Sequence, residues 1–168
     1  MDIRAPKQLG DFGEGLVNYT LLRKDFKVAC VDHVGADLIA QKEHHRIAVS
    51  VKTSLYREKS ITTRGFVIEY EHVEKLTQFA EAFALEPVFA KVVCIADDRM
   101  IHVFMIRIAD VKQRLDKVKR GYRLRFSRKH LEGTIGSPFV DYSSWSNESI
   151  GSKLFGVGED ARRPGSAG

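Results

Sequence analysis

The chain has 168 residues, of which 43% are apolar and 29% charged, and its formal net charge is +5. This composition predicts one soluble globular domain with a sizeable core, and the mild basic bias is consistent with a polyanionic partner. No uncharged apolar run reaches about 18 residues, which excludes a transmembrane helix from the predicted elements.

The first predicted element is a helix at 8–24, where Phe12, Leu16 and Tyr19 recur every three to four residues. Its first half contains three glycines, and each glycine inside a helix costs about 1 kcal/mol. Either the helix begins later, or another segment approaches its backbone closely.

Strands and helices alternate through the middle of the chain. The β-branched and apolar patterns predict strands at 26–33, 36–41 and 47–53. An amphipathic helix is predicted at 71–85, ended by Pro87, and a strand hairpin at 88–96 and 100–106, followed by a helix at 107–119. Cys30 and Cys94 stand in apolar runs, which predicts buried thiols, a reducing compartment and a cytoplasmic protein.

A basic segment follows the predicted hairpin. Residues 112–130 contain nine Lys or Arg and one acid, Asp116. One interpretation is a charged helix followed by a half-buried edge strand. The other is a surface that follows a nucleic-acid backbone. The candidate DNA-binding residues are Lys119, Arg120, Arg123, Arg125 and Arg128.

We predict a single domain over residues 1–155. Its core spans about 8–106, a basic C-terminal extension spans 107–155, and 156–168 form a flexible tail. Aromatic residues in 131–155 suggest either packing on the core or contact with another copy of the chain.

Asp37 and Lys52 are the most informative residues, because each places a charge on an apolar predicted strand. Burying an unpaired ion is costly, so we expect each of the two charges to have an ion-pair partner or a functional role. Side chains alternate along a strand, so Ser50 and Lys52 share one face. A register with Asp37 opposite Lys52 brings the charges together and leaves a four-residue turn at 43–46.

Two explanations fit such a pair. A structural ion pair is one of them. The other is a metal-dependent phosphodiester-cleaving site, in which the carboxylate holds Mg²⁺ and the ammonium stabilises the phosphate or orients the water.

The order of four motifs resembles the PD-(D/E)xK, or restriction-endonuclease-like, nuclease superfamily, and within it the archaeal Holliday junction resolvase-type branch. The resemblance covers about residues 8–106. The matching segments are Gly13-Glu14, Gly35-Ala36-Asp37-Leu38-Ile39-Ala40, Val49-Ser50-Val51-Lys52-Thr53 and Glu71-His72-Val73-Glu74-Lys75-Leu76 with the strand after Pro87. It implies an α/β fold with a restriction-endonuclease-like core, a central mixed β-sheet flanked by helices.

The resemblance also implies roles for individual residues. Asp37 would be the main metal ligand, the Val51 carbonyl a second ligand, Glu14 a support for the metal and Lys52 the catalytic lysine. Ser50 departs from the pattern, because the superfamily has an acid at that position. The implied activity is a Mg²⁺- or Mn²⁺-dependent DNA endonuclease that acts on duplex or branched DNA, as a homodimer or higher homo-oligomer.

Three explanations for Ser50 remain open. A displaced acid from Glu69, Glu71 or Glu74 could replace the missing carboxylate. The chain could be a nuclease with a weak or altered metal site. Alternatively, it is catalytically silent and binds DNA without cutting it.

Overall fold

The computed structural model describes residues 5–56, 65–95, 100–125 and 133–146. Its helices are α1 (Ala5–Leu22), α2 (Tyr70–Ala82) and α3 (Ile108–Arg114). Its strands are β1 (Lys27–His33), β2 (Ala36–Lys42), β3 (His45–Tyr56), β4 (Phe66–Glu69), β5 (Glu86–Ile95), β6 (Met100–Arg107), β7 (Asp116–Val118), β8 (Gly121–Leu124) and β9 (Val140–Ser146).

Six strands form a central sheet in the order β1-β2-β3-β5-β6-β9. The pairing of β3 with β5 is parallel, whereas every other pairing in this sheet is antiparallel. A smaller sheet has the order β4-β8-β7. The prediction of an α/β fold with a central mixed sheet flanked by helices is confirmed.

The two longer helices pack against opposite faces of the central sheet. The α1 face of the core includes Leu16, Val17, Leu21, Leu38, Val49, Val51, Ala90 and Val92. The α2 face includes Ala48, Val73, Leu76, Phe79, Phe89, Val93 and Phe104, together with Phe66, Ile68, Tyr122 and Leu124 of the smaller sheet. Successive residues of β3 therefore point to opposite faces of the sheet, and the even-numbered Ser50 and Lys52 lie on the α2 face.

The β2–β3 hairpin is tighter than predicted. Lys42 pairs with His45, so the turn has two residues rather than four, and Glu43 has φ 53°. The register is therefore shifted by two residues from the predicted one. Asp37 lies opposite Ser50, one residue beyond the paired Leu38 and Val49. A shift by two leaves every side chain on the same face, so Asp37 still shares a face with Lys52.

The glycines of α1 have one clear structural explanation. A Cβ atom on Gly13 would lie 1.8 Å from Thr53 Oγ1, whereas Gly10 and Gly15 face open space. The close approach that the sequence suggested therefore occurs at Gly13, where α1 contacts β3. The helix itself begins at Ala5, earlier than predicted.

Three other predictions need correction. The helix predicted at 107–119 ends at Arg114, because Leu115 is extended and the following residues pair with β8. Cys30 is exposed rather than buried, since it lies on the edge strand β1. The basic strand β8 is the central strand of the smaller sheet and not an edge.

The C-terminal extension contributes to the core. β9 pairs with β6, so Val140–Ser146 is the last strand of the central sheet. Within the described ranges, no helix is long and apolar enough to cross a membrane. Arg128, Phe126 and the predicted tail at 156–168 lie outside the described residues.

Candidate functional site

A pocket of about 260 Å³ opens on the α2 face of the sheet. Its walls are formed by the end of β1 and the β1–β2 turn, the adjoining parts of β2 and β3, and the first half of α2. The lining residues are His33, Val34, Gly35, Asp37, Ser50, Lys52, His72 and Lys75. The structure therefore brings Asp37, Ser50 and Lys52 together, as their shared face predicts.

Asp37 is held against the edge of β3. Its Oδ2 accepts a hydrogen bond from the Val51 backbone N–H, with an N–O distance of 2.5 Å. The N–H and C=O of one residue in an extended strand leave the same edge. The Val51 carbonyl oxygen therefore points to the edge of β3 where Asp37 lies. Binding of one metal ion by both groups would require this arrangement.

The structural ion pair between Asp37 and Lys52 is not present. Both side chains line the pocket, but no salt bridge within 4.0 Å links them in the described part of the chain. Both groups are therefore available to a ligand in the pocket.

Ser50 occupies the position at which the resemblance implies an acid. It is buried, with 7% of its surface exposed, and it lines the pocket. Its hydroxyl is neutral and can accept or donate one hydrogen bond, so it cannot balance the charge of a divalent cation. The pocket thus contains a single carboxylate, that of Asp37.

The α2 side of the pocket supplies two further polar groups. Burial and then the nearby Lys52 ammonium lower the pKa of His72, which favours its neutral imidazole. Lys75 forms an ion pair with Glu71 one helical turn earlier. The pKa of Glu71 is lowered by its hydrogen bond with Lys75 and by the charge of the same ammonium.

The other candidate acids lie outside the pocket lining. Glu14 is on α1, which packs on the opposite face of the sheet from Ser50. Glu69 and Glu71 lie near His72 at the start of α2, and Glu74 accepts a hydrogen bond from Gln78. Roles for these acids at a metal ion stay predictions.

The donor set fits a metal ion only in part. No group of three or more His, Cys, Asp or Glu side chains converges on one point within the described ranges. Mg²⁺ typically binds through one or two carboxylates, several waters and the phosphates of a substrate. Asp37 and the Val51 carbonyl fit such a site when a phosphate completes it, and they do not fit a site that holds Mg²⁺ tightly without substrate.

The β1–β2 turn contacts α2 through Gly35. This glycine has φ 114°, and a Cβ atom would lie 2.6 Å from the Lys75 carbonyl oxygen. Only glycine combines this backbone conformation with this contact at low cost. Gly35 therefore holds the β1–β2 turn against α2, and Gly35 and Lys75 both line the pocket.

Replacing Gly35 with alanine is expected to destabilise the fold by about 3 kcal/mol, because it adds backbone strain and a clash with a carbonyl. Chemical unfolding measures the change. The matched control is Gly15→Ala, in open space on α1, which we expect to stabilise by up to about 1 kcal/mol. Equal stability of Gly35→Ala and the wild type would show that the turn does not pack on α2 in this way.

The candidate DNA-binding residues occupy two different environments. Lys119 and Arg120 form the exposed turn between β7 and β8, and the Arg120 carbonyl accepts a 3.1 Å hydrogen bond from the Tyr70 N–H at the start of α2. Arg125 forms a 3.2 Å ion pair with Asp116, which also lies opposite Arg123 in the register. The hairpin turn is thus fixed to the start of α2, the helix that lines the pocket.

Comparison with solved structures identifies the fold. A Holliday junction resolvase, Hjc, from Archaeoglobus fulgidus matches with a TM-score of 0.50 and 16% sequence identity, over 72% of this chain and 90% of that chain. The chain has the restriction-endonuclease-like fold. A bacterial homing endonuclease, I-Ssp6803I, also matches, with a TM-score of 0.34 and 18% identity, over 70% of this chain and 87% of that chain.

No protein-family model and no curated protein matches the sequence. At such low identity the resolvase establishes the restriction-endonuclease-like fold, and the activity has to be argued from the pocket.

The sequence interpretation assigned no role to three basic residues near the pocket. His72 and Lys75 line it, and Lys91 lies on β5, paired with Lys52 on the same face. Lys91 carries the same signal that identified Lys52, a charge within an apolar strand. His72 and Lys75 have no such signal, because polar residues are ordinary on one side of an amphipathic helix.

Proposed function

We propose that this chain is a DNA endonuclease that hydrolyses phosphodiester bonds. The observation that supports the proposal is the convergence of Asp37, the Val51 edge of β3 and Lys52 in one pocket. The sequence resemblance implies metal-binding roles for Asp37 and the Val51 carbonyl and a catalytic role for Lys52. The solved resolvase that shares the fold is named for action on Holliday junctions, which makes branched DNA the first substrate to test.

The residues of the pocket would divide the chemistry between them. Lys52 presents an ammonium group that can stabilise negative charge on the phosphorus centre as water attacks it. Asp37 and the Val51 carbonyl would hold Mg²⁺ or Mn²⁺ beside the phosphate. A divalent ion there supplies a Lewis acid and lowers the pKa of a bound water. Ser50 can donate a hydrogen bond to a non-bridging phosphate oxygen.

The direct test is cleavage of linear and four-way-junction DNA in Mg²⁺ or Mn²⁺. Cleavage that requires the metal and the Asp37 carboxylate supports the proposal. Cleavage that persists in an Asp37 variant would instead identify a contaminating nuclease. DNA binding with no cleavage in either metal favours the second function.

The second function is DNA binding without cleavage. The observation that favours it is the buried Ser50 at the acid position, which leaves one carboxylate in the pocket. Under this function the lysines of the pocket still contact phosphate, and affinity falls steeply with salt because counterions are released.

We expect the Lys119→Ala/Arg120→Ala double variant to bind DNA more weakly and with a shallower salt dependence. If both residues contact phosphates, the slope of log affinity against log salt falls by about 2. Fluorescence anisotropy across a salt series measures it. The matched control is Lys7→Ala/Arg23→Ala, two exposed basic residues at the ends of α1, which packs on the opposite face of the sheet from the pocket. An unchanged slope in Lys119→Ala/Arg120→Ala would remove this turn from the DNA interface.

The proposal extends to the domain organisation, the cellular location and the oligomeric state of the chain. We propose that the chain is a single domain over residues 1–155, works in the cytoplasm and acts as a homodimer or higher homo-oligomer. Cutting both strands of a duplex requires two sites, which a homodimer supplies.

A further inference from the structure

Lys91 is a buried cation that the proposed endonuclease chemistry does not use. It has 7% of its surface exposed, its Nζ donates a 2.6 Å hydrogen bond to Ser54 Oγ, and it lies 5.4 Å from the centre of the Phe66 ring. It forms no salt bridge with any carboxylate in the described ranges. Burying an ammonium without an opposite charge is costly, which makes a purely structural role unfavourable.

Lys91 lies beside Lys52, on the strand next to the one that lines the pocket. It pairs with Lys52 in the parallel register of β3 and β5, so both lysines lie on the α2 face. Among the described residues, the groups that face it are Lys52 and Ser54 from β3, Phe66 from β4, and Phe104 across β6. None of these groups is acidic.

The charge around the pocket is positive on balance. Lys52 and Lys75 line it, and Lys91 lies beside Lys52 on β5. Asp37 is the opposing carboxylate of the lining, and Glu71 neutralises Lys75. Burial, and then the Lys52 charge, lower the pKa of Lys91 to about 8, so it is mostly protonated at pH 7. An anion in the pocket would relieve the repulsion between the two ammonium groups.

We propose that this pocket binds a phosphate dianion, with Lys52 and Ser50 in contact with the anion and Lys91 acting as a buried positioning residue. Lys52 and Lys91 supply two positive charges for the dianion, whereas the opposing Asp37 carboxylate accepts a hydrogen bond from the Val51 N–H. Hydrolysis of a phosphodiester leaves a phosphomonoester on one new end, so the pocket retains this product or selects DNA ends that carry it. This inference rests on the proposed function for its nucleic-acid ligand.

The test measures inorganic phosphate binding by isothermal titration calorimetry at pH 7, in EDTA and without DNA. Lys91→Met is expected to weaken binding about 10-fold although its side chain does not line the pocket. Asp37→Asn is expected to strengthen binding, because it removes a negative charge and keeps an oxygen that accepts the Val51 N–H. The matched control Lys112→Met, exposed on α3, should bind like the wild type.

A second measurement uses the wild-type protein and does not depend on the folding of a variant. NMR titration of the Lys91 ammonium should give a higher pKa in phosphate than in chloride, because a bound anion favours the protonated form. A merely structural lysine would keep the same pKa in both salts. An unchanged pKa, or equal phosphate affinity of Lys91→Met and the wild type, overturns the inference.

Oligonucleotides distinguish the two sources of the dianion. Tighter binding of a 5′- or 3′-phosphorylated strand than of its hydroxyl counterpart assigns the site to DNA ends, whereas equal binding with retained phosphate affinity assigns it to free phosphate. These assays contain no metal, so their failure is separable from a failure of cleavage. Cleavage without phosphate binding would overturn this inference alone, and phosphate binding without cleavage would overturn only the endonuclease.

Discussion

Replacing Asp37 with asparagine is expected to lower metal-dependent DNA cleavage by about 1,000-fold or more. The amide oxygen can still accept the hydrogen bond from the Val51 N–H, so the local fold is preserved. The amide has no negative charge with which to hold a divalent cation beside the phosphate. The expected loss corresponds to about 4 kcal/mol of transition-state stabilisation.

The measurement is a single-turnover cleavage assay with purified wild-type and variant proteins under the same metal concentrations. Asp11→Asn, on the exposed side of α1, is the matched control and should cleave at the wild-type rate. Circular dichroism establishes that both variants are folded. Equal rates for Asp37→Asn and the wild type would show that the observed cleavage does not come from this pocket and would contradict the proposed endonuclease.

Replacing Ser50 with glutamate is expected to raise metal affinity about 10- to 100-fold and to increase cleavage by at least about 10-fold. The register places Ser50 opposite Asp37, so a carboxylate there would lie beside the existing one. Two carboxylates hold Mg²⁺ more tightly than one, and changes in ligand support commonly alter affinity by this amount. Mn²⁺ binding by calorimetry and DNA cleavage together measure the effect.

Ser50→Gln is the control, because it adds similar volume without the charge. A gain in both variants would attribute the effect to side-chain size. No gain in Ser50→Glu would contradict a pocket that lacks only this acid. Cleavage measurements on Glu71→Gln and Glu74→Gln would then test whether α2 supplies the second carboxylate.

The convergence of Asp37, Ser50 and Lys52 could be predicted from the sequence because it depends only on the face of the strand to which each side chain points. That face alternates from one residue to the next. The predicted four-residue turn was wrong, and the true register differs by two. A two-residue shift moves side chains along the strand but never to its other face. Alternation of apolar and polar residues therefore identified the shared face without identifying the partner residue.

The pairing of distant segments could not be predicted in the same way. β9 joins the central sheet beside β6, and β4 pairs with β8 more than 50 residues later in the chain. Short strands such as Phe66–Glu69 carry only two alternations, too few to distinguish a strand from a loop. The contribution of α2 to the pocket could not be predicted either, because it depends on how the helix packs across the sheet.

The two-residue turn of the β2–β3 hairpin has a consequence for how the chain can change in length. Asp37 and Lys52 belong to one hairpin, so their relative position depends on the residues that separate them and hardly on the rest of the chain. Deleting or inserting one residue within β3 before Ser50 would turn Ser50 and Lys52 to the α1 face, whereas extra residues in the Glu43–His44 turn would only lengthen the loop. Homologous chains should therefore vary in length at that turn and keep the spacing within each strand.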